Sequence, residues 1–97
     1  MKWRREKREP MRVTREIKVT NPSGIHARPA AEFARRANSF RSDISLVKEG
    51  ERFSATSVMD LLRANLGNGG TATLEAHGVD AEAAVEALIK VIESFHD

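Results

Sequence analysis

From Arg12 the chain alternates. Val13, Arg15, Ile17 and Val19 fall on one side of an extended segment, while Thr14, Glu16, Lys18 and Thr20 fall on the other. That period of two predicts a strand with one mostly buried side and one wet side, the kind found in antiparallel sheets covered on one face. The period then changes. Ala30, Phe33, Ala34 and Ala37 recur at helical spacing, with Glu32, Arg35 and Arg36 on the outside. Pro29 falls in the first turn of this helix, where a missing N–H is tolerated. The small alanines let the helix lie close to the sheet.

Ser42 to Lys48 reads as a second strand with Ile44 and Leu46 inward. Glu49-Gly50 is a hairpin turn into a short third strand, Arg52 to Ala55, with Phe53 and Ala55 on one side. Ser57-Val58-Met59-Asp60 opens a second helix that runs to about Asn65, and Ser57 with Asp60 three residues on resembles a capping box. Gly67-Asn68-Gly69-Gly70 lacks the Gly-Lys-Ser or Gly-Lys-Thr ending of a nucleotide loop and reads as a plain turn. Thr71 to His77 alternates around Ala72, Leu74 and Ala76 as a fourth strand. Asp80 caps a last helix whose buried stripe is Val85, Leu88, Ile92 and Phe95. The order β-α-β-β-α-β-α predicts a two-layer α+β domain over residues 12–97, a four-stranded antiparallel sheet with three helices on one face and water on the other.

Ninety-seven residues make one small domain with one core, which favours a single binding or carrier surface over a full enzyme pocket. With no cysteine, neither a disulfide framework nor a thiolate metal site can form, in keeping with a reducing, cytoplasmic setting. No apolar run is long enough to span a membrane. The net charge of +2 is unevenly spread: residues 1–12 hold six Lys or Arg and two Glu, so the rest holds ten against twelve and is slightly acidic. Residues 1–11 are therefore expected to be a basic, disordered extension with both signs mixed and one aromatic, Trp3, or to precede an alternative start at Met11. Neither a membrane nor a nucleic acid is expected as a partner.

The candidate chemistry lies in Asn21-Pro22-Ser23-Gly24-Ile25-His26-Ala27-Arg28-Pro29-Ala30-Ala31, a turn running into a helix start. His26 falls at or just before the helix N-terminus, where unpaired N–H groups and the positive end of the macrodipole favour a phosphoryl group. Arg28 adds a fixed charge. Imidazole, with an unperturbed pKa of about 6.5, is largely neutral and nucleophilic near pH 7. His26 is thus read as a histidine that accepts and passes on a phosphoryl group. Asn21 and Ser23 read as turn residues.

Gly24-Ile25-His26-Ala27-Arg28-Pro29-Ala30 resembles the active-site signature of the HPr family, the histidine-containing phosphocarriers of the bacterial phosphoenolpyruvate-dependent sugar phosphotransferase system. Ser57-Val58-Met59-Asp60-Leu61-Leu62 resembles the regulatory serine region of the same family, and the likeness covers residues 12–97. It implies an open-faced β-sandwich with sheet order first, fourth, second, third. It also implies that His26 is phosphorylated on Nδ1 by phospho-enzyme I, that the group passes to EIIA components of sugar permeases, and that Arg28 neutralises the phosphoryl oxygens. No cofactor and no metal are implied. From the residues alone the ring nitrogen stays open.

By the same resemblance Ser57 is a target of an ATP-dependent HPr kinase, besides being a helix cap. Here Asp60 replaces the family's common glycine and would repel an added phosphate. Ile25, Val58, Met59 and Leu62 are expected as partly exposed partner contacts at the start of the second helix, next to the histidine, with Arg28 and Arg35 steering acidic surfaces. Enzyme I, EIIA, the kinase and a transcription regulator are the implied partners of a monomer. His77 and His96 do not combine with carboxylates at metal-ligand spacing. Two alternatives stay open: a regulatory carrier of the nitrogen-related branch, and a binding module in which His26 is never phosphorylated.

Overall fold

The alternation along the strands builds a sheet with one dry side. In the computed structural model, which describes residues 10–97, the elements are β1 (Met11–Lys18), α1 (Ala27–Ala37), β2 (Asp43–Lys48), β3 (Glu51–Ser54), α2 (Val58–Ala64), β4 (Thr71–Gly78) and α3 (Ala81–Glu93). Most of the expected basic extension, residues 1–9, lies outside the described residues. Met11, assigned to that extension, already belongs to β1 and pairs with Gly78.

All pairings are antiparallel and the sheet order is β1-β4-β2-β3, so the first and third strands form its edges. One row shows the consequence of register. Arg15, Leu74, Leu46 and Phe53 lie side by side across the four strands and all face the helices. The last three are buried. Arg15 stands on the inner face as its spacing predicts, but at the edge it stays exposed and its guanidinium reaches Glu82 of α3 at 3.7 Å.

Phe33, Leu46, Leu61, Leu74, Leu88, Val19 and Val85 are fully buried where the helices meet the sheet. Ala30, Ala34 and Ala37 of α1 are also buried, and α1 packs against both α2 and α3. Phe95, placed on the α3 stripe, lies beyond the helix end but still packs on the core. No helix among the described residues covers the other side of the sheet. There Glu75 of β4 takes Arg12 of β1 at 3.4 Å and hydrogen-bonds Arg52 of β3. The Arg52 hydrogen bond, with the charges of Arg52 and Arg12, holds the Glu75 carboxyl below the usual range. No helix among the described residues is long and apolar enough to cross a membrane.

The β2–β3 turn takes the positive-φ backbone conformation that a two-residue hairpin favours, with φ of 52° at Glu49 and 82° at Gly50. Asp80 departs from its expected role. It occupies the N-cap position of α3, yet its side chain makes no capping hydrogen bond. The carboxylate is taken by the start of β2 instead: Arg41 N donates to Oδ2 at 2.9 Å, and Ser42 N and Ser42 Oγ donate to Oδ1 at 3.0 and 2.6 Å. Three donors held by backbone and side chain outcompete the helix amides.

Those donors, Arg41 N foremost and then Ser42, hold the Asp80 carboxyl below its ordinary value. A depressed folded-state pKa adds stability that is present above the unfolded value near 4 and is lost as pH falls through the folded one. Asp80→Ala should therefore cost about 1–3 kcal/mol at pH 7. In urea titrations the gap to wild type should stay constant from pH 7 down to about 5 and narrow below about 4.

Candidate functional site

Asn21 to His26 form a turn that is pinned from several sides. Gly24 N donates to Asn21 O at 3.1 Å, Asn21 Nδ2 donates to Gly24 O at 2.8 Å, and Ser23 N donates to Asp97 O at 3.0 Å. The strongest constraint comes from the α2–β4 loop. Ile25 N donates to Leu66 O at 2.8 Å, and a Cβ on Gly24 would stand 2.5 Å from Leu66 O and 2.6 Å from Gly67 Cα. With φ of 67° as well, only glycine fits there. Ile25, expected as a partly exposed contact, is a correction: at 5 % exposure it belongs to the core. Once its amide is tied to Leu66, its side chain has only the interior to enter.

His26 follows as the half-buried N-cap residue of α1, with extended backbone (φ −95°, ψ −164°) and no side-chain capping bond. Its carbonyl accepts from Ala30 N at 2.9 Å. Nε2 is closed off from solvent and has no hydrogen-bond partner among the described residues. Nδ1 is not among the buried, unpartnered polar atoms. The first amides of α1 have no intrahelical acceptor, and no acidic residue sits in its first turn. Arg28 is exposed on that turn and makes no ion pair among the described residues. The site thus combines a half-buried imidazole, free amides and an uncommitted guanidinium, a set suited to a dianionic group.

The second helix runs opposite to expectation. Its end, through Leu66, adjoins the His26 turn, whereas its beginning adjoins the end of α1, where Asn38 Nδ2 donates to Thr56 O at 3.2 Å. Ser57 therefore lies at the far end of α1 from His26, about 16 Å along an eleven-residue helix. The antiparallel packing of two consecutive helices puts the two signatures at opposite ends of one surface. Met59 and Leu62, 74 % and 38 % exposed, lie between them, and Val58 is half-buried against the core. Arg35 faces elsewhere, lining a cavity of about 400 Å³ on the α3 side of α1 with Glu32, Arg36 and Val91.

Ser57 caps α2: its Oγ accepts from Asp60 N at 3.1 Å. Only half of the capping box forms. The Asp60 carboxylate accepts from Ser54 N at 2.9 Å and lies 3.5 Å from Arg63, so it does not return to the Ser57 amide. Lys48 Nζ closes the other end of α2 on Ala64 O and Asn65 O, at 2.9 and 3.1 Å.

A family model described as the PTS HPr component phosphorylation site matches residues 13–94. The chain belongs to the HPr family. An HPr-like protein Crh of Halalkalibacterium halodurans is 42 % identical over 81 residues, covering 84 % of this chain and 96 % of the relative. A phosphocarrier protein NPr of Shewanella violacea is 35 % identical, covering 89 % and 94 %. Among solved structures, HPr-C-His from Thermoanaerobacter tengcongensis superposes with a TM-score of 0.81 at 36 % identity, covering 84 % of this chain and 92 % of that one. This is an HPr-family phosphocarrier with the open-faced α+β sandwich of its relatives, and the family implies phosphotransferase-system partners such as enzyme I and EIIA.

Sequence reasoning missed two residues that hold this site. Asn21, read as a turn residue, is 4 % exposed and bonded into the turn, and Leu66 supplies the anchoring carbonyl. The Asn-Pro-Ser-Gly run was the available signal for the first. Gly24→Ala should cost more than about 2 kcal/mol in urea denaturation, because it adds a strained φ to a backbone clash. Met59→Glu should leave the same midpoint within about 0.5 kcal/mol, since the side chain is exposed; a larger loss would place Met59 in the core.

Proposed function

We propose that His26 carries the phosphoryl group on Nδ1, taking it from phospho-enzyme I and giving it to EIIA components of sugar permeases. The observation that carries this reading is the one-sided ring: Nε2 is closed off, Nδ1 is not among the buried, unpartnered atoms, and the ring stands at the start of α1 beside Arg28. The Nδ1 lone pair attacks phosphorus in line, and the bond to the donor breaks with its electron pair leaving on the donor. Charge on the three remaining oxygens falls to the first amides of α1 and to Arg28, so the protein contributes alignment and electrostatics. The reverse sequence delivers the group to the next acceptor.

Met59 and Leu62 supply the apolar docking patch, and Val58 supports it from below. Ser57 is not needed for the carrier step. Phosphorylation there by an ATP-dependent kinase would add charge at the end of α2 remote from His26 and beside Asp60, and would act by changing which partners dock. A second reading, a regulatory carrier of the nitrogen-related branch, is favoured by the NPr relative and differs only in which enzyme I and EIIA it meets.

Incubation with enzyme I, Mg²⁺ and phosphoenolpyruvate should add one acid-labile phosphoryl group to the intact mass. His26→Ala should add none, and Arg28→Ala should slow the reaction about ten- to a hundred-fold, as loss of one charge-assisted contact predicts. Reaction with the nitrogen-branch enzyme I alone would select the second reading. Failure with both would leave a binding module.

A further inference from the structure

Two buried side-chain polar atoms among the described residues lack a hydrogen-bond partner, and both belong to the same turn: Asn21 Oδ1 and His26 Nε2. Buried polar atoms are rarely left unpaired, so two orphans within six residues call for a reason. Their chemistry is complementary, although the two are not bonded to each other in the resting structure. An amide oxygen only accepts, and Nε2 donates whenever it carries the ring proton.

The backbone keeps the two residues together. Gly24 O accepts from Asn21 Nδ2 at 2.8 Å and from His26 N at 3.1 Å, so the Asn21 amide and the root of the histidine converge on one oxygen. That oxygen cannot drift, because Gly24 is wedged under Leu66 and Gly67. With Nδ2 committed to Gly24, the remaining face of the Asn21 amide is Oδ1, inside the same buried turn.

We propose that Asn21 is a positioning residue for His26, its buried Oδ1 accepting the Nε2 proton during phosphoryl transfer. The inference rests on the carrier reading above. As the Nδ1 lone pair forms the N–P bond and the donor departs with its own electron pair, the ring gains positive charge and Nε2–H becomes a stronger donor. An acceptor in that place holds the proton on Nε2 throughout, so no proton leaves when the group arrives or when it departs. In the free ring the same buried oxygen favours, by its partial negative charge, the tautomer with a bare Nδ1, the one form that can attack.

The test reads the ring directly. In protein labelled with ¹⁵N at histidine, at a pH where the rings are neutral, wild type and Asn21→Asp should both show a bare Nδ1 and a protonated Nε2 at His26. Asn21→Leu, of similar volume but with no acceptor, should show a mixture of tautomers, with the His77 and His96 signals unmoved. Its phosphoryl acceptance from enzyme I should fall about three- to ten-fold, the weight of one hydrogen bond. An Asn21→Leu ring identical to wild type would overturn the proposal whatever the rate. If that variant does not fold, Asn21→Ala is judged by the same two readings. The tautomer is read without phosphate, so wild-type protein that takes no phosphate sinks the carrier reading alone, and an unchanged ring sinks this inference alone.

Discussion

Everything about the site depends on one loop carbonyl. Leu66 O holds the Ile25 amide at 2.8 Å, and the same stretch of backbone leaves room only for a glycine at position 24. Ile25 is thereby drawn into the core, and the next residue must turn the other way. His26 is thus oriented by its predecessor's burial, with no capping bond of its own. A reactive group held this way keeps its nitrogen free of the hydrogen bonds that would otherwise fix it and compete with its chemistry.

The remaining constraints serve that arrangement at longer range. Asp80 ties the start of α3 to the start of β2, two chain segments separated by 38 residues, and so sets how the last helix meets the sheet. Lys48 anchors the end of α2 from the neighbouring hairpin, steadying the helix that leads into Leu66. The carbonyl that positions Ile25 is therefore backed by a hairpin, a helix end and the central strand that follows.

Much of this fold was legible because its strands and helices are one-sided. The change of period between Val19 and Ala30 marked the first strand and helix, and Glu49-Gly50 marked the hairpin through its demand for positive φ. Membership of the HPr family was carried by the residues around His26. What could not be read depends on partners far along the chain. Ile25 looks like any apolar turn residue until Leu66, some forty positions later, claims its amide. Asp80 looks like a cap until the donors of Arg41 and Ser42 arrive. The course of α2 against α1 follows from how two consecutive helices return across the same sheet, and local periodicity carries no such information.

The closed Nε2 has a kinetic consequence. On the proposed reading only one nitrogen is open, so a group received by His26 leaves along the line by which it came. Giver and taker then need the same space in front of α1 and cannot be bound together. Throughput is governed by how fast one complex falls apart and the next encounter begins, which rewards brief, loosely held contacts over tight ones. A modest exposed patch such as Met59 and Leu62 suits that traffic better than a deep pocket would.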